Sequence, residues 1–440
     1  MKKWIILLVS TLLLSISIFA VPTVSIMIQA AAGGVNSQEV TWFNQWIPKI
    51  EQDLGIKINL ITLGVSEEDF NAKLALEIKG GSGPDIIWLD GFMTPEFASA
   101  GYLHSIDATA TIPEWQYFYP SMKAYGSYNG KVYNVITGTD VRMIYYNEEL
   151  FQKAGISVPW QPHSWNDILN TAMILKQKLP GVTPLQLDAG TGMGEATTMQ
   201  GFYMVLLGAS GNLYDWNTGK WIIGSPALTA AANFYRDVYI TDKVGDPEYQ
   251  LTPGGREQTF KAFQQGKIAM YIEGTWLYTS VMNPSNTSWG IPNRDTIIGW
   301  AAMPGRGNSG DPDYVSISGG SGFVINANSK DVALDEEVLK YLSYFEPVNS
   351  LFELKPSILP SSIYTDFSMT VNENKFIADT SKLLAYSTYR PALPAYNQVS
   401  YQVQVLTQNL VSGMSVDQAL KQYAAAVTNI VGKQNVETLP

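Results

Sequence analysis

The chain has 440 residues, of which 46% are hydrophobic and 15% are charged, and its formal net charge is −11. This length predicts two lobes, at roughly 150 residues per domain, and the composition excludes a disordered chain. An acidic chain without a long basic run excludes nucleic acid and anionic membrane surfaces as partners. With no cysteine and only two histidines, we exclude disulfides and thiolate catalysis and predict neither a metal site nor a cofactor.

The N-terminus has the pattern of an export signal. Lys2 and Lys3 precede an apolar run over residues 4–28, and three alanines at 30–32 offer a small-residue cleavage site. The run exceeds the ~7–15 residues of a signal core and is long enough for a membrane span of ~20 residues. We therefore predict a signal peptide or an N-terminal anchor over residues 1–32. The rest of the chain then lies outside the cytoplasm, in the periplasm or at the outer face of the cytoplasmic membrane.

Strand and helix patterns alternate over the next sixty residues. We predict strands over 39–44, 56–62 and 84–90, with a helix after each of the first two, both ending at glycine. Ser66 caps the second of these helices. The third strand is almost continuously apolar, which is typical of a buried parallel sheet. This βαβ order predicts an α/β domain.

A β-rich run over 141–147 begins a second region in which helices are frequent. Without a linker, we expect the two lobes to be joined by several crossings of the chain, which permits hinge bending. Helices are predicted from Ser164 and over 199–207, 228–239, 257–265, 332–345 and 415–431, and strands over 267–272, 297–302 and 322–326.

Residues 274–278 read Gly-Thr-Trp-Leu-Tyr and follow a polar helix that ends at Gly266 and then an apolar strand. This arrangement predicts a glycine turn that presents Trp276 and Tyr278 at the mouth of an α/β sheet. Flat, amphipathic rings at such a position are typical of sites for small polar ligands.

Together, eight segments in order resemble the extracellular solute-binding proteins of ABC importers, carbohydrate-binding family 1, especially those for trehalose and maltose. The resemblance covers about residues 39–431 and implies a two-lobed periplasmic binding protein-like fold (type II). Lobe 1 would hold 35–140 plus 316–360, and lobe 2 would hold 141–315 plus 361–440. The segments are 83–90, 96–103, 145–155, 164–169, 263–278, 299–305, 318–323 and 389–396.

Two carboxylates are candidates for binding sugar hydroxyls, because carboxylates accept from hydroxyls with charge-assisted strength. Asp90 ends a buried strand at the carboxyl edge, where open α/β sheets bind ligands, although it could equally cap the next turn. Asp140 resembles the aspartate that trehalose- and maltose-type proteins place five residues before paired tyrosines. Its alternative is a turn-forming residue.

The resemblance implies further contacts of three kinds. Trp276 and Tyr278 would stack on the sugar, with a place in the core as their alternative. The glycines before a strand would allow close backbone approach, or simply form a tight turn. Arg390 would donate paired hydrogen bonds, or else form a surface salt bridge. The candidates are Asp90, Asp140, Trp276, Tyr278, Gly319, Gly320, Ser321 and Arg390, then Trp88, Trp42, Asn44 and Arg142, with Glu195 and Trp300 ranked lower.

We therefore predict a non-enzymatic, monomeric binding protein that closes about a hinge on a di- or oligosaccharide and delivers it to the permease subunits of an ABC importer. The resembling subgroup often has an aromatic residue at the position of Ser321, so the identity of the sugar stays open. The alternative is a secreted glycoside hydrolase, which needs two carboxyl groups about 5–9.5 Å apart. Asp90 and Asp140 would be that pair. A lectin-like surface protein is a third reading.

Overall fold

A computed structural model describes residues 21–31, 36–112, 114–355, 358–363 and 373–440. Lobe 1 is built on a mixed six-stranded sheet whose three N-terminal strands run parallel. A strand from much later in the chain, Ser321–Asn326, runs antiparallel to its neighbours in the middle of the sheet. The spatial order is Lys57–Thr62, Thr23–Ile28, Ile86–Asp90, Ser321–Asn326 and Leu103–His104, and Asn134–Ile136 also pairs with Ser321–Asn326.

Lobe 2 has its own sheet of four strands. The central pair, Ile268–Gly274 and Arg142–Asn147, is antiparallel and buried along its full length. Thr183–Gln186 lies on one side and Ile298–Ala301 on the other. Smaller sheets join Tyr214–Asp215 to Lys220–Gly224 and Val436–Thr438, and Met303–Pro304 to Tyr314–Ser318 and Ser387–Tyr389, while Ser127–Tyr128 pairs with Lys131–Val132.

Helices pack around both sheets and bury their apolar faces against them. In lobe 1 they are Ser37–Leu54, Glu67–Lys79, Thr94–Ser99, Pro120–Tyr125, Val332–Leu342 and Phe345–Leu354. In lobe 2 they are Glu148–Ala154, Trp165–Lys178, Tyr203–Gly208, Pro226–Arg236, Pro247–Leu251, Gly255–Gln264, Lys375–Thr380, Tyr396–Val411 and Val416–Val431.

Within the described residues, the chain crosses between the lobes at three places. Gly138–Thr139 leads from lobe 1 into lobe 2 and pairs with Leu359–Pro360, which returns from lobe 1. The third crossing joins Tyr314–Ser318 to Ser321–Asn326 through two glycines. These findings confirm the predicted α/β, two-lobed architecture with several hinge crossings.

The N-terminal leader predicted through residue 32 is wrong at its C-terminal end. Thr23–Ile28 is an interior strand that pairs along its whole length with Lys57–Thr62 and, at Ile26 and Met27, with Ile86–Asp90. Cleavage at the alanines of 30–32 would remove this strand from the sheet. A buried parallel strand is itself an apolar run, so the sequence shows no boundary between the leader and the strand. Residues 1–20 lie outside the described part of the chain.

The strand predicted over 39–44 is also wrong, because these residues belong to the helix Ser37–Leu54. Their β-branched and aromatic side chains favour a strand locally. The buried positions Trp42, Phe43, Trp46 and Ile50 instead follow helical spacing toward the core of lobe 1. The predicted helix caps at Ser66, Ser164 and Ser415 are confirmed, each accepting a hydrogen bond from the backbone N–H three residues later.

Candidate ligand-binding cleft between the lobes

A cleft of about 810 Å³ lies between the lobes and is lined by both. This volume is within the range of sites for small molecules, about 300–1,000 Å³. Lobe 1 contributes the carboxyl end of Ile86–Asp90, and Ser321 lies directly opposite Asp90 in the antiparallel pair. The sheet register therefore fixes these two residues at the edge of the cleft. Lobe 2 contributes Arg142, Glu195, Gln200, Arg256, Trp276 and Arg390.

Asp90 divides its two carboxylate oxygens between the protein and the cleft. Oδ1 accepts from Arg390 Nη2 at 3.1 Å, from the Tyr125 hydroxyl at 3.2 Å and from the Phe92 N–H at 3.3 Å. Oδ2 accepts no hydrogen bond from any described residue, and the side chain is 27% exposed. Asp90 therefore caps the turn Gly91–Met93 and also lines the cleft, so both predicted roles are compatible.

Asp140 shows the same division. Its Oδ1 accepts the Gly319 N–H at 2.7 Å and forms an ion pair with Arg142, whereas Oδ2 has no partner among the described residues. The side chain is 20% exposed. Arg142 is itself fixed, because its Nε donates to Gln200 at 3.4 Å and its Nη1 donates to the Ile317 carbonyl at 3.3 Å. The cleft thus contains two carboxylates that each leave one oxygen for a ligand.

Arg390 is buried rather than part of a surface salt bridge. Its Nη1 donates to Glu195 at 2.8 Å and its Nη2 donates to Asp90, so it joins the two acids across the base of the cleft. Glu195 also accepts from the Tyr396 hydroxyl at 2.6 Å and from the Ser400 hydroxyl at 2.5 Å. The arginine thus holds Asp90 in place more than it faces the cleft.

The charges in the cleft act on the acidity of Asp90. Burial raises the pKa of Asp90, the Arg390 guanidinium lowers it, and the nearby charge of Asp140 raises it again. Two carboxylates that influence each other in this way lie in one common site.

Trp276 and Trp88 line the cleft from opposite lobes. The indole of Trp276 lies against the end of its own strand, where a Cβ on Gly274 would be 2.4 Å from the indole nitrogen. Glycine at 274 therefore permits this ring position. Trp88 also packs in the core of lobe 1, since its ring centroid lies 5.2 Å from that of Phe323.

Three predicted contacts are wrong. Trp42 is fully buried in the core of lobe 1 and donates its indole N–H to the Pro347 carbonyl at 2.7 Å. Asn44 is exposed on the same helix and does not line the cleft. Tyr278 is buried and stacks on Phe376 with ring centroids 4.3 Å apart, so it fills the core of lobe 2. The lower-ranked Trp300 packs edge-on against the same two rings.

Of the predicted residues Gly319, Gly320 and Ser321, only the last two line the cleft. Gly319 does not line the cleft, but its N–H fixes Asp140. Gly320 and Ser321 do line it. Gly320 has φ of +139°, and a Cβ there would be 2.4 Å from the Gly138 carbonyl oxygen, so only glycine fits beside the first lobe crossing.

A cluster of charges lies behind Trp276 in lobe 2, and we call it the sealed network because its two acids are buried, while its arginine, Arg256, reaches the cleft. Asp188 and Glu273 are both fully buried, and each is within 3.1 Å of the Tyr271 hydroxyl. Arg256 donates to Glu273 at 3.1 Å and also lies 4.8 Å from the Trp276 ring centroid. Burial and then the Glu273 charge raise the pKa of Asp188 to about 8, against the opposing effects of Arg256 and the Tyr271 hydrogen bond.

Several cleft residues were missed by the sequence analysis. The strand wrongly predicted over 39–44 hid Glu39, and no local pattern marks Lys355 or the rings on the lobe 2 wall. These residues are Asn36, Glu39, Phe70, Arg256, Glu257, Phe260, Ser280, Trp289 and Lys355. Within the described ranges, no group of three or more acidic, His or Cys residues could hold a metal ion. No described helix combines the length and apolar character required to span a membrane.

A family model described as bacterial extracellular solute-binding protein matches residues 34–345. The chain belongs to this family. As a solute-binding protein of this family it acts outside the cytoplasm, and its relatives are binding proteins rather than enzymes. The arabinooligosaccharide-binding protein of Bacillus subtilis is 24% identical over 316 residues, covering 70% of this chain and 67% of the relative. A binding protein of Brucella abortus is 23% identical over 370 residues, covering 82% and 83%.

Solved structures share the fold of this solute-binding protein. A solute-binding protein of Thermotoga lettingae bound to α-D-tagatose has a TM-score of 0.81 at 22% identity, covering 93% of this chain and all of that one. The GacH receptor of Streptomyces glaucescens, solved free and with acarbose, has a TM-score of 0.79 at 23% identity, covering 94% of this chain and all of the receptor. These similarities confirm the predicted two-lobed binding-protein fold.

Proposed function

We propose that this solute-binding protein captures a di- or oligosaccharide and delivers it to the permease subunits of an ABC importer. One observation carries the proposal. Asp90 and Asp140 each leave Oδ2 without a partner among the described residues, in a cleft that Trp276 also lines. Carboxylates accept from sugar hydroxyls, and an indole covers the C–H face of the ring. Relatives that bind arabinooligosaccharides, multiple sugars and maltose support this substrate class.

Closure follows from the division of the site between the lobes. Asp90 and Trp88 belong to lobe 1, whereas Trp276 belongs to lobe 2, so a sugar gains its full set of contacts only when the lobes close. A ligand that binds the closed form more tightly shifts the population toward it. The closed form is then the one that the permease recognises. Monomeric state, and whether the leader is cleaved or retained as an anchor, stay predictions.

A glycoside hydrolase is the alternative, because it also combines tryptophans with paired carboxylates. The comparisons favour binding over hydrolysis, because the matching family model and the similar sugar-binding relatives are binding proteins. Incubation with a bound sugar followed by product analysis separates the two functions, and released cleavage products would favour the hydrolase.

Isothermal titration calorimetry tests the proposal with trehalose, maltose, maltotriose and arabinotriose. At least one sugar should bind, and Asp140→Asn should lower its affinity about 10- to 100-fold, since a hydrogen bond to a charged group contributes about 1.5–3 kcal/mol. The matched control is Asn44→Ala, which changes an exposed residue outside the cleft. Binding of a polyamine with no binding of any sugar would refute the substrate class.

A further inference from the structure

A second pair of charged residues lines the cleft in lobe 1. Glu39 lies in the first turn of the helix Ser37–Leu54, and Lys355 directly follows the helix Phe345–Leu354. Their side chains form an ion pair and are only 6% and 10% exposed. Lys355 Nζ also donates to Asn36 Oδ1 at 3.0 Å. The pair is thus built into the wall of the cleft rather than placed on the outer surface.

This pair leaves hydrogen-bonding capacity unused. Glu39 Oε2 is buried and has no partner among the described residues. A buried carboxylate oxygen without a partner is destabilising, so its presence in a folded protein requires an explanation. An ammonium group has three N–H donors, and the contacts of Lys355 to Glu39 and Asn36 use two of them. Between the described residues, no hydrogen bond connects this pair to Asp90 or Asp140.

The facing lobe extends beyond Trp276 as a row of rings. Phe260 packs edge-on against Trp276 with centroids 6.2 Å apart, and Trp289 packs edge-on against Phe260 at 5.7 Å. All three line the cleft, together with Ser280, whose buried hydroxyl has no partner in the described part of the chain. The aromatic wall of lobe 2 therefore continues along the cleft beyond Trp276.

We propose that Glu39 and Lys355 form a second saccharide-binding point, so that the cleft takes an oligosaccharide with separate units at Asp90–Asp140 and at Glu39–Lys355. In this arrangement Glu39 Oε2 accepts a hydroxyl and the third N–H of Lys355 donates to one. This inference rests on the proposed function and names the length of its ligand.

The test compares Glu39→Gln with the wild type against sugars of rising length, by calorimetry with maltose, maltotriose and maltotetraose and with arabinose oligomers of two to four units. In the series that binds, the variant should lose about tenfold in affinity for the longer members and less than twofold for the shortest. The control is Glu353→Gln, an exposed glutamate on the helix that precedes Lys355. Control affinities should equal those of the wild type at every length.

A second variant guards against a folding defect, since Glu39→Gln leaves Lys355 buried without its counter-charge. Glu39→Gln combined with Lys355→Met removes both charges and should show the same length-selective loss, with a melting temperature near that of the wild type. An equal loss at all lengths, or no loss at any, overturns the second binding point and leaves the proposed function intact. If no sugar binds the wild type, the proposed function fails together with this inference.

Discussion

Two networks in this molecule each place one arginine near two carboxylates, and the exposure of those carboxylates to solvent differs. In the cleft, Arg390 donates to both Asp90 and Glu195, and Asp90 keeps one oxygen open to solvent. In lobe 2, Arg256 donates to Glu273 and acts on the neighbouring Asp188 only through its charge, and both acids are fully buried.

In the sealed network, Asp188 and Glu273 share one tyrosine hydroxyl. The Tyr271 hydroxyl contacts both Asp188 and Glu273 but has one proton, so it donates to one carboxylate at a time. A proton on Asp188 supplies the missing hydrogen bond, in agreement with a pKa of about 8.

The comparison shows that access to solvent decides the role of a carboxylate that has no arginine of its own. At an open edge, the remaining charge stays accessible to hydroxyl donors. In a closed core, the same charge is neutralised by protonation, and the cost appears as a dependence of stability on pH.

The largest expected effect comes from Arg390. Arg390→Met removes the buried counter-charge that Glu195, 13% exposed, shares with the partly exposed Asp90, so we expect the free energy of unfolding to fall by up to about 3–5 kcal/mol. Urea denaturation at pH 7 measures this free energy of unfolding. Lys153→Met, which removes an exposed pair with Glu149, should change the value by less than about 0.5 kcal/mol. A loss for Arg390→Met no larger than for this control would show that the cleft network does not need its arginine.

The sealed network predicts a pH effect. Because the folded-state pKa of Asp188 is about 8 and its ordinary value is near 4, its contribution is present in full below about pH 4 and is lost as the pH rises through 8. Asp188→Asn mimics the protonated acid and removes this loss of about 1.4 kcal/mol per pH unit. Between pH 5.5 and 7.5, denaturation should therefore show the variant gaining about 2.5 kcal/mol of unfolding free energy relative to the wild type. The control Asp69→Asn, at an exposed residue, should show the same change of stability with pH as the wild type. If Asp188→Asn also shows the same change as the wild type, Asp188 does not carry a buried proton.

The smallest effect tests whether the networks act separately. Trp276→Leu removes the ring that contacts Arg256 of the sealed network and faces the cleft. We expect sugar affinity to fall about tenfold, since an aromatic contact contributes about 0.5–1.5 kcal/mol, while the change of stability with pH stays as in the wild type. Calorimetry and denaturation measure the two quantities. Trp216→Leu, at a tryptophan 61% exposed and outside the cleft, is the control. A changed pH dependence of stability in Trp276→Leu would show that the two networks are coupled.

Local patterns predicted much of the fold but only part of the site. The interior strand Ile86–Asp90 follows from a continuous apolar run, so Asp90 at its carboxyl end was found from sequence. Which side of an element a ring faces is decided by packing, so Tyr278 was assigned to the cleft although it stacks in the core. The partners Glu39 and Lys355 are 316 positions apart. No pattern within a short window of sequence reports such a pair.

The placement of Ser321–Asn326 within the lobe 1 sheet has a consequence for biogenesis. Its partner Ile86–Asp90 precedes it by more than two hundred residues, with most of lobe 2 between them. Until residue 326 has been made, the edge of Ile86–Asp90 has no partner strand on that side, and an unpaired strand edge can pair with other chains. The lobe 1 sheet can therefore be completed only after most of lobe 2 has been synthesised.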